Sequence, residues 1–564
     1  MIPSLATRGK LVLASAALMV LVGAFRGAPP LVAMGGGVLI ALLAAYLGFY
    51  PTAVLLRRKK IELSWWVPPG DQPGGALAPD RPFQLHIAYR NHGSRTLRVL
   101  ATNVLAGRGL DVAPSVPAAV PAGKQVEHTT DVRPAVAGYQ VLHGAVLVLG
   151  DLLGLFEVHA YFPNPIAVKV FPRPRAAQPP VLRMAGGVQS EQVGLHQVRR
   201  RGLAGELREL REHAHGDPFK YIAWKATARR GKLMTRDLEN ELVATHVVCV
   251  DLGAAMRTGP LGKRPLDWAT DTAAALARAA IGAGDRVGLV TFDTRTVLEL
   301  RPGSGHHHWL QLVDRLLDAH TIVDEDLTDL TAGELVATVA AYLAHQEAID
   351  VRIRVAPPID DPRWNQIQAG PDGVLYDLGA MARLVQKLLE AMGGGKSLAP
   401  SWWWSRSHQG DGADPQLGPL RLFCRLRGLE LPYRRDYDPG RRSAGFAQAL
   451  ERAVADGRPD QIVVLSTLDG VVDDEARLTR ALARVRRHAG AVVAVVPQAA
   501  GLAATAETEA GRMVAAIMTR EHRRSNAAAR QLLARHGVRV QTASPADTAA
   551  VLLGQRRPVG GRAA

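Results

Sequence analysis

Cysteine is almost absent from this chain of 564 residues, which contains only Cys249 and Cys424. Two cysteines cannot form a disulfide framework, and neither has neighbours at a zinc-binding spacing. Aromatic residues are also scarce, at 5% of the sequence, whereas glycine and alanine-rich runs are frequent. The cysteine usage indicates a reducing compartment for the bulk of the chain. The small residues favour helices packed closely on sheets.

The signatures of common enzyme classes are missing as well. The sequence has no Gly-x-Ser-x-Gly element around its predicted sheet, no His-Glu-x-x-His and no dinucleotide fingerprint opening a helix after a strand. The glycine run at 393–397 lacks the glycine that a phosphate loop needs six places before its lysine, where Glu390 stands. His306, His307 and His308 are adjacent and therefore point in different directions. We expect a protein that is not an enzyme and has no catalytic residue.

Positive charge is in excess, because 68 Lys and Arg against 52 Asp and Glu give a formal net charge of +16. Such a balance is compatible with binding to nucleic acid or to an anionic membrane surface. The basic runs at 199–201, 484–488 and 556–557 lack the interleaved aromatic residues on which single-strand binders stack bases. We therefore expect no nucleic-acid partner and attribute the charge to the anionic cytoplasmic leaflet. A basic module that binds nucleic acid or a membrane surface remains an alternative.

A mass of 60.4 kDa exceeds what one hydrophobic core usually holds, so the sequence predicts a multidomain protein. Changes in composition and in the apolar pattern give the boundaries. The predicted parts are a membrane segment at 1–60, a β-sandwich at 61–178, a linker with a charged motif at 179–245, an α/β domain at 246–555 and a disordered tail at 556–564.

Two apolar runs near the start predict a transmembrane helical hairpin. The runs at 11–25 and 31–50 have 15 and 20 residues without a charge, close to the length with which a helix crosses a bilayer core. Arg8 and Lys10 precede the first run, and the basic cluster 57–60 follows the second. The positive-inside rule places both ends in the cytoplasm. We expect a two-pass protein of the inner (plasma) membrane, embedded in the lipid bilayer, with cytoplasmic main domains.

A cleaved secretory signal peptide is the rival interpretation of the first run, with small residues near Ala24 and Ala28. The second helix would then still deliver residue 57 onward to the cytoplasm. The hairpin is favoured because the apolar length continues before any cleavage position. Trp65 and Trp66 follow the basic cluster, either as an interfacial anchor or as the start of the next domain's core.

Short alternating runs between 61 and 178 predict an antiparallel β-sandwich of about seven strands. Examples are the runs at 83–89, 97–105 and 141–149, which are separated by glycine, proline and Asn-Gly-like breaks. No nucleophile, acid pair or ligand cluster stands out among them. The segment is therefore interpreted as a spacer or binding module.

From residue 246 onward, apolar strands alternate with amphipathic helices, which predicts a Rossmann-like α/β domain with a parallel sheet covered on both faces. The region at about 324–440 interrupts this alternation and is interpreted as an insertion. It contains three consecutive tryptophans, Trp402–Trp404, which either form an interaction patch or fold back onto the domain. The predicted strands are 245–251, 286–292, 461–466 and 491–496, and the helices between them are 266–283 and 474–488.

A dense charged motif directly precedes the α/β domain, and Ile222, Trp224 and Ala228 are expected to give it a buried side. With this motif the sequence resembles the bacterial domain-of-unknown-function family fifty-eight, and Asp151-Leu-Leu-Gly-Leu-Phe156 is similar to a second family element. His213 replaces the family's aromatic residue, and Ala223 replaces the acid before the tryptophan. The motif positions that match are Leu210, Arg211, Gly216, Asp217, Ile222, Trp224, Lys225, Ala228 and Arg229.

The resemblance implies a membrane-tethered interaction protein with a von Willebrand factor A-like domain, frequently partnered with a MoxR-type AAA+ ATPase. It leads us to expect a non-catalytic adaptor. Asp217, Trp224, Lys225 and Arg229 either fix the sandwich to the α/β domain, with Trp224 packed and Asp217 paired with a cation, or face a partner. The sequence does not separate these two roles.

The resemblance also implies a divalent-metal site at the carboxyl ends of the strands, built on Asp-x-Ser-x-Ser, a threonine and a further aspartate. Here Asp251 is present, but the two serine positions are Gly253 and Ala255. Ser443 stands for the threonine and Asp469 for the last aspartate. Because a hard cation needs several oxygen ligands at once, we expect a degenerate Mg²⁺ site. The alternative is a metal-dependent hydrolase that uses Asp251 and Asp469.

Overall fold

The chain divides into two units, which are described separately. The first consists of Met1–Phe171 and Thr321–Arg435, and the second of Pro172–His320 and Asp436–Ala564. A computed structural model describes residues 3–57, 60–68, 77–114, 117–173, 197–214, 219–241, 243–318, 320, 328, 330–347, 349–358, 360–391, 416–429, 431–433, 440–497 and 508–543.

Strands and helices are numbered in chain order. The strands are β1 Ser4–Leu5, β2 Ile61–Trp66, β3 Phe83–Asn91, β4 Leu97–Ala106, β5 Leu110–Val112, β6 Ala118–Val120, β7 Gln125–Pro134, β8 Gly138–Gly150, β9 Phe156–Val170, β10 Gln197–Glu212, β11 Met234–Glu241, β12 Thr245–Asp251, β13 Arg286–Phe292, β14 Thr296–Gly303, β15 Ile367–Ala369, β16 Leu375–Asp377, β17 Gln461–Leu465, β18 Ala491–Pro497 and β19 Arg539–Ala543. The helices are α1 Thr7–Arg26, α2 Pro29–Arg57, α3 Trp224–Arg230, α4 Pro265–Gly282, α5 His306–Asp318, α6 Ala332–Gln346, α7 Leu378–Ala391, α8 Leu417–Leu426, α9 Arg441–Ala453, α10 Glu475–His488 and α11 Glu509–Arg535.

The two predicted apolar helices are present as α1 and α2. Gly27 ends α1 in the left-handed conformation, which allows the chain to reverse at once into α2. The helices pack closely at small residues, because an added Cβ on Gly35 would lie 2.8 Å from the Ala16 carbonyl oxygen. Both are long and apolar enough to cross a membrane. Most of their large apolar side chains, Leu18 and Ile40 among them, are not covered by the rest of the protein. A core helix of a soluble protein would bury such side chains.

Two antiparallel sheets follow the helices, as the alternating runs predict. One has four strands in the order β2-β3-β7-β5, and the other has five in the order β1-β9-β8-β4-β6. Their inward residues, including Leu85, Ile87 and Leu147, form one hydrophobic core. Trp65 belongs to this core and donates from Nε1 to the Asn164 carbonyl oxygen at 2.8 Å. The sandwich core is therefore the interpretation of Trp65 that the structure supports.

Part of the region predicted as an insertion at about 324–440 forms a helical cluster within the first unit. Helices α6, α7 and α8 share a core that contains Leu335, Leu343 and Phe423. The glycine run, the Trp402–Trp404 patch and the predicted tail at 556–564 lie outside the described residues.

The second unit is built on a six-stranded sheet in the order β14-β13-β12-β17-β18-β19. Five strands are parallel, and the edge strand β14 is antiparallel to β13. The sheet is therefore mixed, whereas the sequence predicted a parallel one. Only residues 293–295 separate β13 from β14, too few for the crossover that a parallel neighbour requires. The chain leaves β12 on both sides, so the gap between β12 and β17 is the topological switch point of the sheet.

A buried histidine lies against the start of α4. His320 shares a 2.9 Å hydrogen bond between its Nε2 and the Thr270 hydroxyl, and its Nδ1 is 3.5 Å from Asp267 Oδ1. Burial is the largest influence on its pKa, and the nearby Arg264 charge acts in the same direction, although Asp267 opposes them. Together they lower the pKa of His320 from 6.5 to about 4.

The stability of the second unit should therefore fall as the medium becomes acidic. Below pH 6.5 the unfolded chain takes up a proton on His320 that the folded chain does not bind until about pH 4, so the free energy of unfolding declines between these values. The loss for this residue should approach about 3 kcal/mol. Chemical denaturation across this pH range should show a shallower decline in His320→Gln. The exposed-site control His307→Gln should retain the original slope, and an equal slope in both variants would contradict the assignment.

Candidate functional site

Three polar side chains meet at the carboxyl end of the central strands. Asp251 ends β12, Asp293 directly follows β13, and Ser466 directly follows β17. These strands are neighbours and run parallel, so their carboxyl ends lie at the same edge of the sheet. All three residues are buried. The cluster lies at the topological switch point, where open α/β sheets usually bind their ligands.

A guanidinium group from the first turn of α9 lies between the two aspartates. Arg442 donates from Nη2 to both Asp251 oxygens, at 2.9 and 2.8 Å, and from Nη1 to Asp293 Oδ1 at 2.7 Å. The arginine is itself buried. Charge-assisted hydrogen bonds of this length are the strong kind, and the planar guanidinium holds two carboxylates in fixed directions.

The remaining bonds of Asp251 come from the adjacent loops. The Ser466 hydroxyl donates to Asp251 Oδ2 at 2.6 Å, and the Gly253 backbone N–H donates to Oδ1 at 2.8 Å. Ser466 Oγ in turn accepts from the Leu468 N–H at 2.9 Å. Leu468 has φ of +58°, a strained conformation for a branched side chain that this hydrogen bond helps to hold. Both oxygens of Asp251 are thus committed to donors of the protein itself.

The absence of a side chain at Gly253 makes room for the arginine. A Cβ added to Gly253 would lie 2.1 Å from Arg442 Nη1 and 2.3 Å from its Cζ. Serine at this first hydroxyl position would therefore collide with the guanidinium. The chain therefore lacks this hydroxyl of the metal motif at the position where the guanidinium of Arg442 needs the space.

The predicted metal ligands Asp251 and Ser443 are each bonded to other groups of the protein. Asp251 binds Arg442, whereas Ser443 donates to the Val471 carbonyl oxygen at 2.7 Å and accepts from the Asp474 N–H at 2.9 Å. Asp469 is partly exposed in the loop after β17. No group of three or more His, Cys, Asp or Glu residues is arranged to hold a metal among the described parts of the chain. The donor set does not fit Mg²⁺, because a guanidinium already bridges the two central carboxylates.

The family motif forms a helix and turn beside the β10–β11 pair. Ile222 and Ala223 supply its buried side, and the Ala223 N–H donates to the Met234 carbonyl oxygen at 2.8 Å. Trp224 is 65% exposed and Ala228 is also exposed, so these two residues do not provide the buried side that the sequence predicted. The tryptophan opens the short helix α3, in which Thr227 Oγ1 accepts from the Met234 N–H of β11 at 3.0 Å.

The charged positions of the motif take three different places. Lys225 and Arg229 are exposed, one turn apart on α3. Arg211 is partly buried at the end of β10 and donates from Nη1 to the Glu212 carbonyl oxygen at 3.1 Å. Gly216 and Asp217 lie outside the described residues, so the ion pair predicted for Asp217 stays a prediction.

Sequence reasoning missed Asp293, Ser466 and Arg442. The first two had a signal, because each directly follows a buried apolar strand in the way that Asp251 ends its own. Arg442 had none: it is one of 68 basic residues and lies 191 positions from Asp251. A pair of buried strand-end carboxylates is nevertheless a reason to search for a buried cation.

Solved structures give only weak likenesses. A Northeast Structural Genomics Consortium target matches at 11% identity and TM-score 0.15, covering 20% of this chain and 87% of its own. A FixG-related protein from Vibrio parahaemolyticus matches at 10% identity and TM-score 0.13, covering 19% of this chain and 96% of its own. Native alpha-2-macroglobulin from Escherichia coli, from domain MG7 to the C-terminus, matches at 11% identity and TM-score 0.17, covering 75% of this chain and 55% of its own. Likenesses at these TM-scores do not assign the fold.

The search of curated proteins found no match. A family comparison does match, over residues 209–341, to the family described as protein of unknown function DUF58. The matched stretch begins in β10, contains the exposed α3 motif and continues through Asp251 and Asp293. The likeness of this chain to the DUF58 family thus rests on residues 209–341.

Proposed function

We propose that this protein is a membrane-anchored, non-catalytic adaptor whose cytoplasmic α/β domain binds a protein partner. The exposed apolar surfaces of α1 and α2 support the two-pass anchor. Arg8, Lys10 and Lys60 lie at the ends of this hairpin and support a cytoplasmic orientation in the inner membrane. The sheet order with its antiparallel edge strand supports a von Willebrand A-like domain.

The guanidinium of Arg442 is the observation that carries the proposal. It fills the switch point, the position at which sheets of this kind hold a ligand or a catalytic group. Neither Asp251 nor Asp293 has a carboxylate that is free to bind a substrate, because Arg442 binds both. The carboxyl edge of the sheet therefore serves as a fixed structural element, and recognition takes place elsewhere on the surface of the domain.

The exposed side of the family motif is the surface best suited to a partner. Phe219 and Trp224 are 75% and 65% exposed, and large aromatic residues are typical anchors of protein interfaces. Lys225, Arg229 and Arg230 follow Trp224 in α3 and are exposed. Within the described part of the chain these three cations make no ion pair. Their charge favours an acidic partner surface, and a MoxR-type AAA+ ATPase is the partner we propose.

Trp224→Ala should weaken binding of the full chain to a purified MoxR-type ATPase by roughly tenfold or more. Since the side chain is mostly exposed, thermal stability should change little. Biolayer interferometry in detergent measures the dissociation constant, and thermal unfolding measures stability. Trp66→Ala is the matched control, because this tryptophan is also partly exposed but lies in the first unit.

Charge reversal tests the electrostatic part of the same surface. Arg229→Glu should slow association, and the difference from the unchanged chain should shrink as salt is added. If the unchanged chain shows no binding to the ATPase, the proposed partner is wrong. If Trp224→Ala and Trp66→Ala weaken binding equally, the motif is not the docking surface.

A further inference from the structure

The turn between β8 and β9 exposes two adjacent leucines. Leu152 is 88% exposed and Leu153 is 66% exposed. The turn is nonetheless well fixed, because the Asp151 carboxylate accepts from the backbone N–H groups of Leu153 at 3.2 Å, Leu155 at 2.6 Å and Phe156 at 2.9 Å. The turn therefore holds the two leucine side chains outward. Exposure of such apolar side chains to water is unfavourable.

The same turn is attached to the beginning of α1. The Ala6 N–H donates to the Leu155 carbonyl oxygen at 2.9 Å, and Leu5 in β1 pairs with Phe156 in β9. An added Cβ on Gly9 would lie 2.1 Å from the Leu155 carbonyl oxygen, so the helix touches the turn directly. On the other side, the ring of Phe156 contacts Tyr46 of α2 with centroids 5.6 Å apart. The turn therefore sits where the helical hairpin leaves the sandwich.

Helix length places this point near the edge of the bilayer. The uncharged run at 11–25 is only about 22 Å long as a helix, short of the roughly 30 Å hydrocarbon core. All of α1, with 20 residues, reaches about 30 Å. A short span draws its flanking surface toward the lipid. The hydrocarbon boundary then falls at the first turn of α1, beside Leu152 and Leu153.

From these contacts we infer that Leu152 and Leu153 insert into the lipid–water interface, making the β8–β9 turn a second membrane contact of the first unit. The inference rests on the proposed membrane anchor. Arg8, Lys10 and Arg98 are exposed around the turn, and Arg98 donates from Nη1 to the Leu152 carbonyl oxygen at 2.9 Å. Apolar tips ringed by cations match an anionic lipid surface, with acyl chains for the leucines and headgroups for the cations.

Site-specific fluorescence can test the inference on the full chain. Both native cysteines are buried, and burial raises the pKa of each thiol to about 12, so an introduced surface cysteine should react selectively. Leu152→Cys and Leu153→Cys would each carry an environment-sensitive label in vesicles of phosphatidylethanolamine and phosphatidylglycerol. We expect a blue-shifted emission that nitroxide-bearing lipids quench, most strongly when the nitroxide lies near the headgroups.

Two further labels separate the possible failures. Leu18→Cys lies mid-span in α1, and Arg108→Cys lies beyond the far end of β4, about 30 Å along the strand from Arg98. Quenching at Leu18 without quenching at Leu152 and Leu153 overturns the inference and leaves the anchor standing. No quenching at Leu18 overturns the anchor itself. Equal quenching of a label at Arg108→Cys would indicate general adsorption of the protein to the vesicle, which overturns the inference. A blue shift at Leu152 or Leu153 that lipid nitroxides do not quench would indicate that protein covers the turn, which also overturns it.

Discussion

Replacing Arg442 with alanine should lower the free energy of unfolding by about 3–5 kcal/mol, because it leaves two buried carboxylates without their shared cation. Asp251 and Asp293 are each about 1% exposed or less, so water reaches neither of them readily. Ser466 and the Gly253 N–H would still donate to Asp251, whereas Asp293 would lose the charge-assisted hydrogen bond that it accepts from Arg442 at 2.7 Å. Chemical denaturation in detergent measures the change.

The same variant should become sensitive to divalent cations. Removing the guanidinium leaves a space bordered by the Asp251 and Asp293 carboxylates and the Ser466 hydroxyl, and hard cations prefer such oxygen donors. A cation that binds only the folded state stabilises it by mass action, by about 2.7 kcal/mol at a concentration 100 times its dissociation constant. Titration with Mg²⁺ or Ca²⁺ should therefore restore part of the lost stability. The unchanged chain should not respond, because Arg442 occupies the place of the ion.

Arg441→Ala provides the matched control. It removes the same charge at the neighbouring position, but that residue is exposed, and surface substitutions usually change stability by about 0.5 kcal/mol or less. A second control combines Arg442→Ala with Asp293→Asn, which removes one carboxylate and should abolish the cation response. If the stability of Arg442→Ala is the same with and without both cations, the arginine does not stand in an ion's place.

The strand-end position of Asp251 was predictable because it depends on local pattern. The run from Thr245 to Val250 is apolar apart from its first two residues and stops at the aspartate. Parallel strands bring their carboxyl ends to one edge, so an acid there is a site candidate before any coordinates are known. The same logic applies to Asp293 and Ser466. The partner of Asp251 was not predictable, because α9 reaches it only through tertiary packing, and no periodicity encodes which arginine turns inward.

The edge strand and the family motif show two further limits of pattern reasoning. The sequence of β14 alone does not indicate whether the strand runs parallel or antiparallel to its neighbour. The three-residue connection from β13 requires an antiparallel strand, but its length is known only once the ends of both strands are known. Trp224 and Ile222 are both apolar and close in sequence, yet Ile222 is buried and Trp224 is exposed. Hydrophobicity alone therefore assigned both to a core, although a large aromatic residue on a surface is a common feature of binding sites.

A second large effect is expected in the first unit, where Arg427 is 1% exposed just after α8. Its Nη2 lies 2.7 Å from Glu347 Oε1, and its guanidinium lies over the Phe423 ring at 5.3 Å. Within the described residues, Nε and Nη1 of Arg427 have no hydrogen-bond partner. The Glu347 carboxylate is thus the main counter-charge of a cation held away from water.

Glu347→Ala should therefore destabilise the protein by about 3–5 kcal/mol, the usual result of removing one partner from a buried ion pair. The cost comes from the stranded guanidinium, so the double variant Glu347→Leu with Arg427→Met should regain most of the stability. Thermal and chemical unfolding of Glu347→Leu, Arg427→Met and the double variant give the coupling between the residues. Similar losses that simply add in the double variant would show that the pair acts through packing alone.

His143 supplies an independent readout of the same charge. Its Nδ1 lies 2.8 Å from the Tyr342 hydroxyl oxygen, and burial together with the Arg427 charge lowers the pKa of His143 to about 4. Arg427→Met removes the second of these influences and should raise the pKa of His143 toward its ordinary value of 6.5, while burial keeps it below. An NMR titration of the imidazole measures the shift. Because a packing defect alone would not add or remove positive charge, an upward shift that persists in the stable double variant isolates the electrostatic role of Arg427.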